Sequence, residues 1–517
     1  MRPRHRGARV SRAGTPVLVL LAALVAAAVI APLVQLVGRV ASGDPDAVAA
    51  VVLRPRTLEM LATSVGVTVA TAAGALVLGL ATAFVLARVA LPARAAWRVL
   101  ACLPLAVPSF VAAFGWMGVF PGLSGPVPLV GVLVLATTPY VTVPALAAFV
   151  RADASVEDAA RSLGRGPLAA FATATLPQVL PAALAGTLLV ALYALSDFGA
   201  PALLRVDTLT TGVYAQFTGG FDRAASAALA LVLAVPALAC VSAEAGVRRR
   251  ASARAAATGR TARAVRPAPP ARAGVMALLA AVTAASVVVP LAALVARLPD
   301  AGRYAAEVGE LIAAAGTTLA LGAGAAALAV IAGLPVAWLA ARHRSRLVAV
   351  IEAFSYVGHA LPGLVVALAL VALTLAIAPG AYQGVAALVA AYVVLFLPKA
   401  VGSARAAFAA VPRAHEDVAR SLGDAPARAW VRVTLPAAAP GVLAGAVLVM
   451  AAVMKELPAT LLLRPTGVDT LATELWTATS VGAFGAAALP ALALVAVGLV
   501  PALALAHGIR SLGKDPR

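Results

Sequence analysis

Few side chains in this 517-residue chain are placed to do chemistry, because 62% of it is hydrophobic and only 12% is charged. Asp197 and Glu456 each close a long apolar run, with Lys455 beside the second. His359 stands near Pro362 and Gly363 inside another run, where a lone histidine is expected to pack rather than bind a ligand. Cys102 and Cys240 lie in apolar segments and read as small buried side chains, and no Cys/His cluster has metal-ligand spacing. Gly508 to Lys514 spells glycine, four residues, glycine and lysine, close to a phosphate-binding loop. Asp515 stands where that loop needs Ser or Thr, and two residues cannot supply the helix that cradles phosphate, so ATP binding here is not expected. No nucleophile, base and acid gather in any polar loop. The residue types therefore predict no catalysis, no cofactor and no metal site.

Soluble chains are roughly 45–50% apolar and about 25% charged. Apolar runs longer than the ~20 residues that cross a bilayer core point instead to membrane helices in lipid. Twelve are read, near 16–37, 60–88, 98–120, 127–150, 177–197, 224–245, 273–296, 311–340, 346–376, 382–402, 436–456 and 484–508. Gly, Ala, Pro and Thr inside them suit closely packed membrane helices. Tyr193, Tyr214, Trp116 and Trp476 near their ends read as interface aromatics.

The net charge of +19 comes almost entirely from Arg in short blocks between apolar runs, without interleaved aromatics. Nucleic acid is therefore not an expected partner, and the positive-inside rule accounts for the blocks. Arg2, Arg4, Arg6, Arg9 and Arg12 precede the first run, Pro16–Val37, which is longer than a signal-peptide core and reads as retained. Both termini are then cytoplasmic, with about 31 Lys and Arg inside and about 8 outside, Lys455 aside. Residues 246–272, with eight Arg and Pro267, Pro269 and Pro270, read as a disordered cytoplasmic connector dividing the chain into two sets of six helices.

Those halves repeat. Glu157-Asp158-Ala159-Ala160-Arg161-Ser162-Leu163-Gly164 matches Glu416-Asp417-Val418-Ala419-Arg420-Ser421-Leu422-Gly423 at a shift of 259 residues. At the same shift Pro167 meets Pro426, Leu176-Pro177 meets Leu435-Pro436, Pro181 meets Pro440 and Gly186 meets Gly445. An even number of crossings per half makes the two copies parallel. The repeated segment falls on the cytoplasmic side. It reads as a short helix, a turn at Gly164 or Gly423 and a second short helix, broken by the Leu-Pro pair before the membrane. A hairpin kept in both copies is read as a docking element.

The segment resembles the coupling loop of binding-protein-dependent ABC importer permeases, whose pattern is Glu-Ala-Ala, three residues, Gly, nine residues, an aliphatic, one residue, Leu-Pro. Here Asp158-Ala159-Ala160 and Asp417-Val418-Ala419 fill the triplet, with Glu157 or Glu416 one position earlier, and Ala174 and Val433 fill the aliphatic place. Which acid faces the partner stays open. Lys455-Glu456-Leu457-Pro458-Ala459-Thr460 with Asp469-Thr470-Leu471-Ala472-Thr473, and Ser196-Asp197-Phe198-Gly199 with Asp207-Thr208-Leu209-Thr210-Thr211, resemble the ferric-iron group, which fuses two units in one chain. The resemblance implies an all-α bacterial inner-membrane protein of about 12 transmembrane helices as two parallel six-helix repeats. It also implies ATP-hydrolysing subunits, as a dimer, docking on Glu157, Asp158, Ala159, Ala160 and Gly164 and on Glu416, Asp417, Ala419 and Gly423. An extracytoplasmic substrate-binding protein would deliver ferric iron, with thiamine, phosphonate, sulfate and polyamine as the alternatives.

The expected organisation is an N-terminal part with the first helix over 1–57, a first permease unit over 58–245 with its coupling loop at 151–177, and the linker 246–272. A seventh helix and external loop follow over 273–310, then a second unit over 311–508 with its coupling loop at 405–436, and a tail over 509–517. Asp197 and Glu456, equivalent in the repeat, allow two readings. They are acids at the outer mouth of the pathway, contacting cargo or binding protein, or helix-end charges paired with Lys455 or with the equivalent Arg205 and Arg464. A secondary transporter of six plus six helices would also repeat. It would need more mid-membrane ionisable groups than this chain has, and no paired docking segments.

Overall fold

Hydrocarbon offers backbone groups no hydrogen-bond partner, so an apolar chain crosses it as helices that satisfy those groups internally. The computed structural model describes residues 15–219, 223–254, 269–301, 308–343 and 345–510. The N-terminal arginines, the centre of the basic connector, the side chain of His359 and the stretch 511–517 with Lys514 lie outside the described residues. Among those described, nine helices are long and apolar enough to cross a membrane, and a tenth span consists of two pieces bent by 94°. Two shorter apolar helices, Gly363–Ile377 and Phe484–Val500, bring the protein to an all-α membrane fold of about twelve helices.

The helices that frame the first half are α1 (Thr15–Ala41), α2 (Pro55–Arg88), α3 (Ser109–Val119), α4 (Pro126–Arg151), α5 (Ala154–Ser162), α6 (Pro167–Ser196), α7 (Leu209–Thr218) and α8 (Arg223–Arg254), with shorter helices between them. Their counterparts in the second half follow in the same order: α9 (Pro269–Ala296), α10 (Val308–Arg342), α11 (Gly363–Ile377), α12 (Val385–Ala410), α13 (Arg413–Ser421), α14 (Pro426–Val453), α15 (Leu471–Ser480) and α16 (Phe484–Arg510). The repeated glycines explain one shared contact. A Cβ on Gly186 of α6 would lie 2.9 Å from Val141 Cα of α4, and one on Gly445 of α14 would lie 2.8 Å from Ser403 Cβ of α12. Only glycine lets these backbones approach so closely.

Several expectations are corrected. The runs near 98–120 and 346–376 are not continuous helices. The first breaks at Val107-Pro108 before α3, the second at Leu361-Pro362 before α11, since proline disfavours helical backbone at the residue before it. The Leu-Pro pairs, conversely, do not break theirs. Helices α6 and α14 run through them by forming π turns at Phe171–Thr175 and Trp430–Thr434, and α9 does the same at Ala284–Val288 before Val289-Pro290. A π turn inserts an extra residue, which moves away the carbonyl that a proline ring would strike. The basic connector is helical at both ends, since α8 reaches Arg254 and α9 begins at Pro269.

The halves are also interlocked. Helix α1 packs on α10 and α11 of the second half, while α9 packs on α3 of the first. Arg297, just past α9, lays its guanidinium 4.9 Å from the ring of Phe114 in α3 and 5.5 Å from Phe484 in α16. Tyr214 and Trp476 are half-buried and both pack tilted against Phe198, with ring centroids at 4.7 Å and 4.9 Å, so the Phe198–Trp476 contact joins the halves.

Candidate functional site

Two hairpins and a polar seam carry nearly all the ionisable side chains expected to matter. In each hairpin the glutamate turns inward. Glu157 Oε2 accepts from Arg88 Nη2 at 3.2 Å and from Thr175 Oγ1 at 2.6 Å. Glu416 Oε1 accepts from Arg342 Nη2 at 3.1 Å and from Thr434 Oγ1 at 2.7 Å. Arg88 and Arg342 end α2 and α10, and the two threonines are fully buried in the π turns of α6 and α14. One carboxylate thus fastens three helices in each half. Asp158 and Asp417 are exposed. Of the neighbouring small residues, Ala159 is exposed, Ala160 half-buried and Ala419 buried.

Each short helix ends in the same way. Gly164 (φ +83°) and Gly423 (φ +98°) adopt left-handed backbone, which glycine takes without steric cost. Arg165 N donates to Ala160 O and Gly164 N to Arg161 O. Asp424 N and Gly423 N do the same to Ala419 O and Arg420 O. These are paired Schellman closures. They hold out Leu163 and Leu422, 84% and 82% exposed. The anchors Arg88, Arg342, Thr175 and Thr434 were missed in the sequence. The arginines are equivalent at a shift of 254 residues and the threonines at 259, so a search at one shift finds only half the set.

The acids Asp197 and Glu456 lie at the far ends of α6 and α14, each at the start of the second piece of its half's broken helix. Ser109, first residue of α3, donates to Asp197 Oδ2, and Ala200 N donates to Oδ1 at 3.1 Å. Glu456 Oε1 accepts from Ala459 N at 3.2 Å and lies against Gly363, first residue of α11, where a Cβ would come within 2.6 Å of it. The first N–H groups of a helix have no partner within it and carry partial positive charge, so a carboxylate there is stabilised.

The anticipated pairings are not those formed. Lys455 Nζ donates to Leu105 O at 2.6 Å, Arg464 pairs with Asp469, and Arg205 is exposed with φ +55°. Three extra residues, Pro465-Thr466-Gly467, re-route the loop after Arg464, so positions equivalent in sequence differ in geometry. The Asp-Thr-Leu stretches also have a local task. Thr208 and Thr470 cap α7 and α15 with reciprocal hydrogen bonds. Leu209 N and Leu471 N then donate to Ser64 Oγ and Thr318 Oγ1 on α2 and α10. A further residue missed in the sequence is Lys399, which holds in α12 the place of Tyr140 in α4. Glu456 lies within electrostatic reach of both Lys399 and Asp197.

No group of three or more metal-ligating side chains is present among the described residues. Two like units of membrane helices, each with a polar hairpin at one end and a helix-capping acid at the other, define a transport permease. Residues 333–511 match the family described as the inner-membrane component of binding-protein-dependent transport systems. Over 464 residues the chain is 32% identical to the Fe(3+)-transport system permease protein FbpB 2 of Haemophilus influenzae, covering 87% of this chain and 90% of that protein. The chain belongs to this family of ABC importer permeases: a multi-pass inner-membrane transport subunit, not itself an enzyme, that works with an ATPase and a substrate-binding protein.

Proposed function

We propose that this permease carries ferric iron, delivered by an external binding protein, along a path between its two units. The observation that carries the cargo is the identity to an Fe(3+) permease over nearly the whole chain. Two copies of one ATPase subunit would dock on α5 and α13 from the cytoplasm. The outward residues support a single docking groove, because Asp158, Arg161, Ser162 and Leu163 are identical to Asp417, Arg420, Ser421 and Leu422 and all eight are exposed. ATP-driven closure of the ATPase pair would move α6 and α14 and open the path alternately to each side. Bound ATP and the loaded binding protein would bias that balance through their different affinities for the two states.

Proteoliposomes holding the permease with its ATPase, given binding protein loaded with radiolabelled ferric iron, are expected to accumulate label only with internal ATP. Accumulation of a thiamine, phosphonate, sulfate or polyamine probe instead would replace the cargo. Uptake without any ATPase would favour a secondary transporter.

Asp197→Asn together with Glu456→Gln is expected to leave assembly intact and lower uptake, because neutral isosteres hold the α3 and α11 starts less strongly. The interaction of a charge with a helix terminus is about 0.3–1 kcal/mol when exposed and up to about 2 when partly buried. Initial uptake rates normalised to membrane abundance check this, and unchanged rates would leave the acids without a transport role.

A further inference from the structure

Coupling helix α13 leads through α14 to Lys455-Glu456, and coupling helix α5 leads through α6 to Asp197, so each long helix joins a hairpin to a break. In the first half, Asp197 meets the start of α3. In the second, Glu456 meets the start of α11. Lys455 alters this symmetry. Its ammonium crosses to the other half and donates to Leu105 O at 2.6 Å, in the last turn before the 94° break. That carbonyl would accept from residue 109 in a continuous helix, but Ser109 begins α3 instead, so the break leaves the acceptor available. Space for the lysine stem is provided by Gly498 of α16, where a Cβ would lie 2.9 Å from Lys455 Cε. The first-half counterpart of Lys455 is Ser196, whose hydroxyl donates at 2.7 Å to Leu192 O of its own helix and crosses nowhere. The broken helix of the first half is therefore held on one side of its bend by α6, through Asp197, and on the other by the end of α14, through Lys455.

We infer that Lys455 is a positioning residue that makes both coupling helices act on one broken helix, so that neither half moves without the other. This rests on the coupling reading proposed above. A charge held among membrane helices by one backbone carbonyl is costly to strand and keeps that partner. The contact thus supplies a physical link between the units, which a coupling route requires beyond mere proximity.

The test uses the full complex in proteoliposomes with ferric-loaded binding protein, comparing the native chain with Lys455→Met, Lys455→Gln and Lys455→Arg. The readouts are membrane abundance, ATP hydrolysis and iron taken up per ATP hydrolysed. Iron per ATP is expected to fall roughly tenfold in the Met and Gln variants, within the usual range of coupling between sites. Hydrolysis should persist, and Arg should recover most of the loss. An unchanged ratio would overturn the role. So would loss of hydrolysis and uptake in equal proportion, or an Arg variant as defective as Met. Absence of ATP-dependent uptake by the native complex would remove the coupling reading itself, and this inference with it.

Discussion

Replacing Gly164 and Gly423 together with proline is expected to abolish uptake while the protein still reaches the membrane. Both residues hold left-handed backbone, at φ +83° and +98°, and a proline ring fixes φ near about −65°. Each also donates its N–H, Gly164 to Arg161 O at 3.0 Å and Gly423 to Arg420 O at 3.1 Å, and proline has none to give. The preceding leucine is pushed away from helical backbone as well. Each closure then loses about 3 kcal/mol or more, in a tip whose leucine is almost wholly exposed and touches little of the core. The damage stays in the hairpin, because the Glu157 and Glu416 anchors lie two turns upstream. Alanine at both glycines is a milder change, since left-handed backbone costs an ordinary residue about 1–2 kcal/mol; partial uptake is expected. Uptake assays beside membrane immunoblots decide the matter, and a fully active proline pair would end the docking role of these hairpins.

The second large effect separates the two acids of each hairpin. Glu157→Ala with Glu416→Ala strands Arg88 and Arg342, whose side chains are only 11% and 9% exposed. Removing one partner of a buried pair costs about 3–5 kcal/mol, because the remaining charge is left uncompensated. The double variant is expected to lose most of its membrane abundance or melt at a much lower temperature in detergent. Asp158→Ala with Asp417→Ala is expected to keep native abundance and melting temperature, since both carboxylates face outward. Converting Glu157 and Arg88 together to methionine removes both charges and should recover stability, as apolar replacement of a whole pair is often neutral. A larger loss of stability from the aspartate variants than from the glutamate variants would contradict the anchoring geometry.

The hairpins were legible in the residues because their determinants are local. A glycine closing a short helix, an acid in its first turn and a following Leu-Pro pair repeat at one fixed shift, and a local structure needs no distant partner to be read. What each acid does was not legible. Glu157 and Asp158 are adjacent and chemically alike, and a difference of one residue turns a helical side chain by about 100°. Only the positions of Arg88 and Thr175, brought in from α2 and α6, decide which one faces inward.

The same division holds for the whole molecule. Apolar length, arginine placement and the internal repeat determined by themselves that this is a two-unit membrane protein of about twelve helices, because the bilayer leaves an apolar chain few alternatives. Tertiary structure alone decided that α1 and α9 pack across onto the opposite half, and which proline pairs break a helix, as at Pro108 and Pro362 in the runs that follow α2 and α10, and which are absorbed by π turns, as at Pro177 and Pro436. It also decided that Lys455 reaches Leu105 rather than an acid. Those choices turn on shape and on backbone acceptors exposed at the breaks, and a carbonyl freed by a bend leaves no mark on residue type.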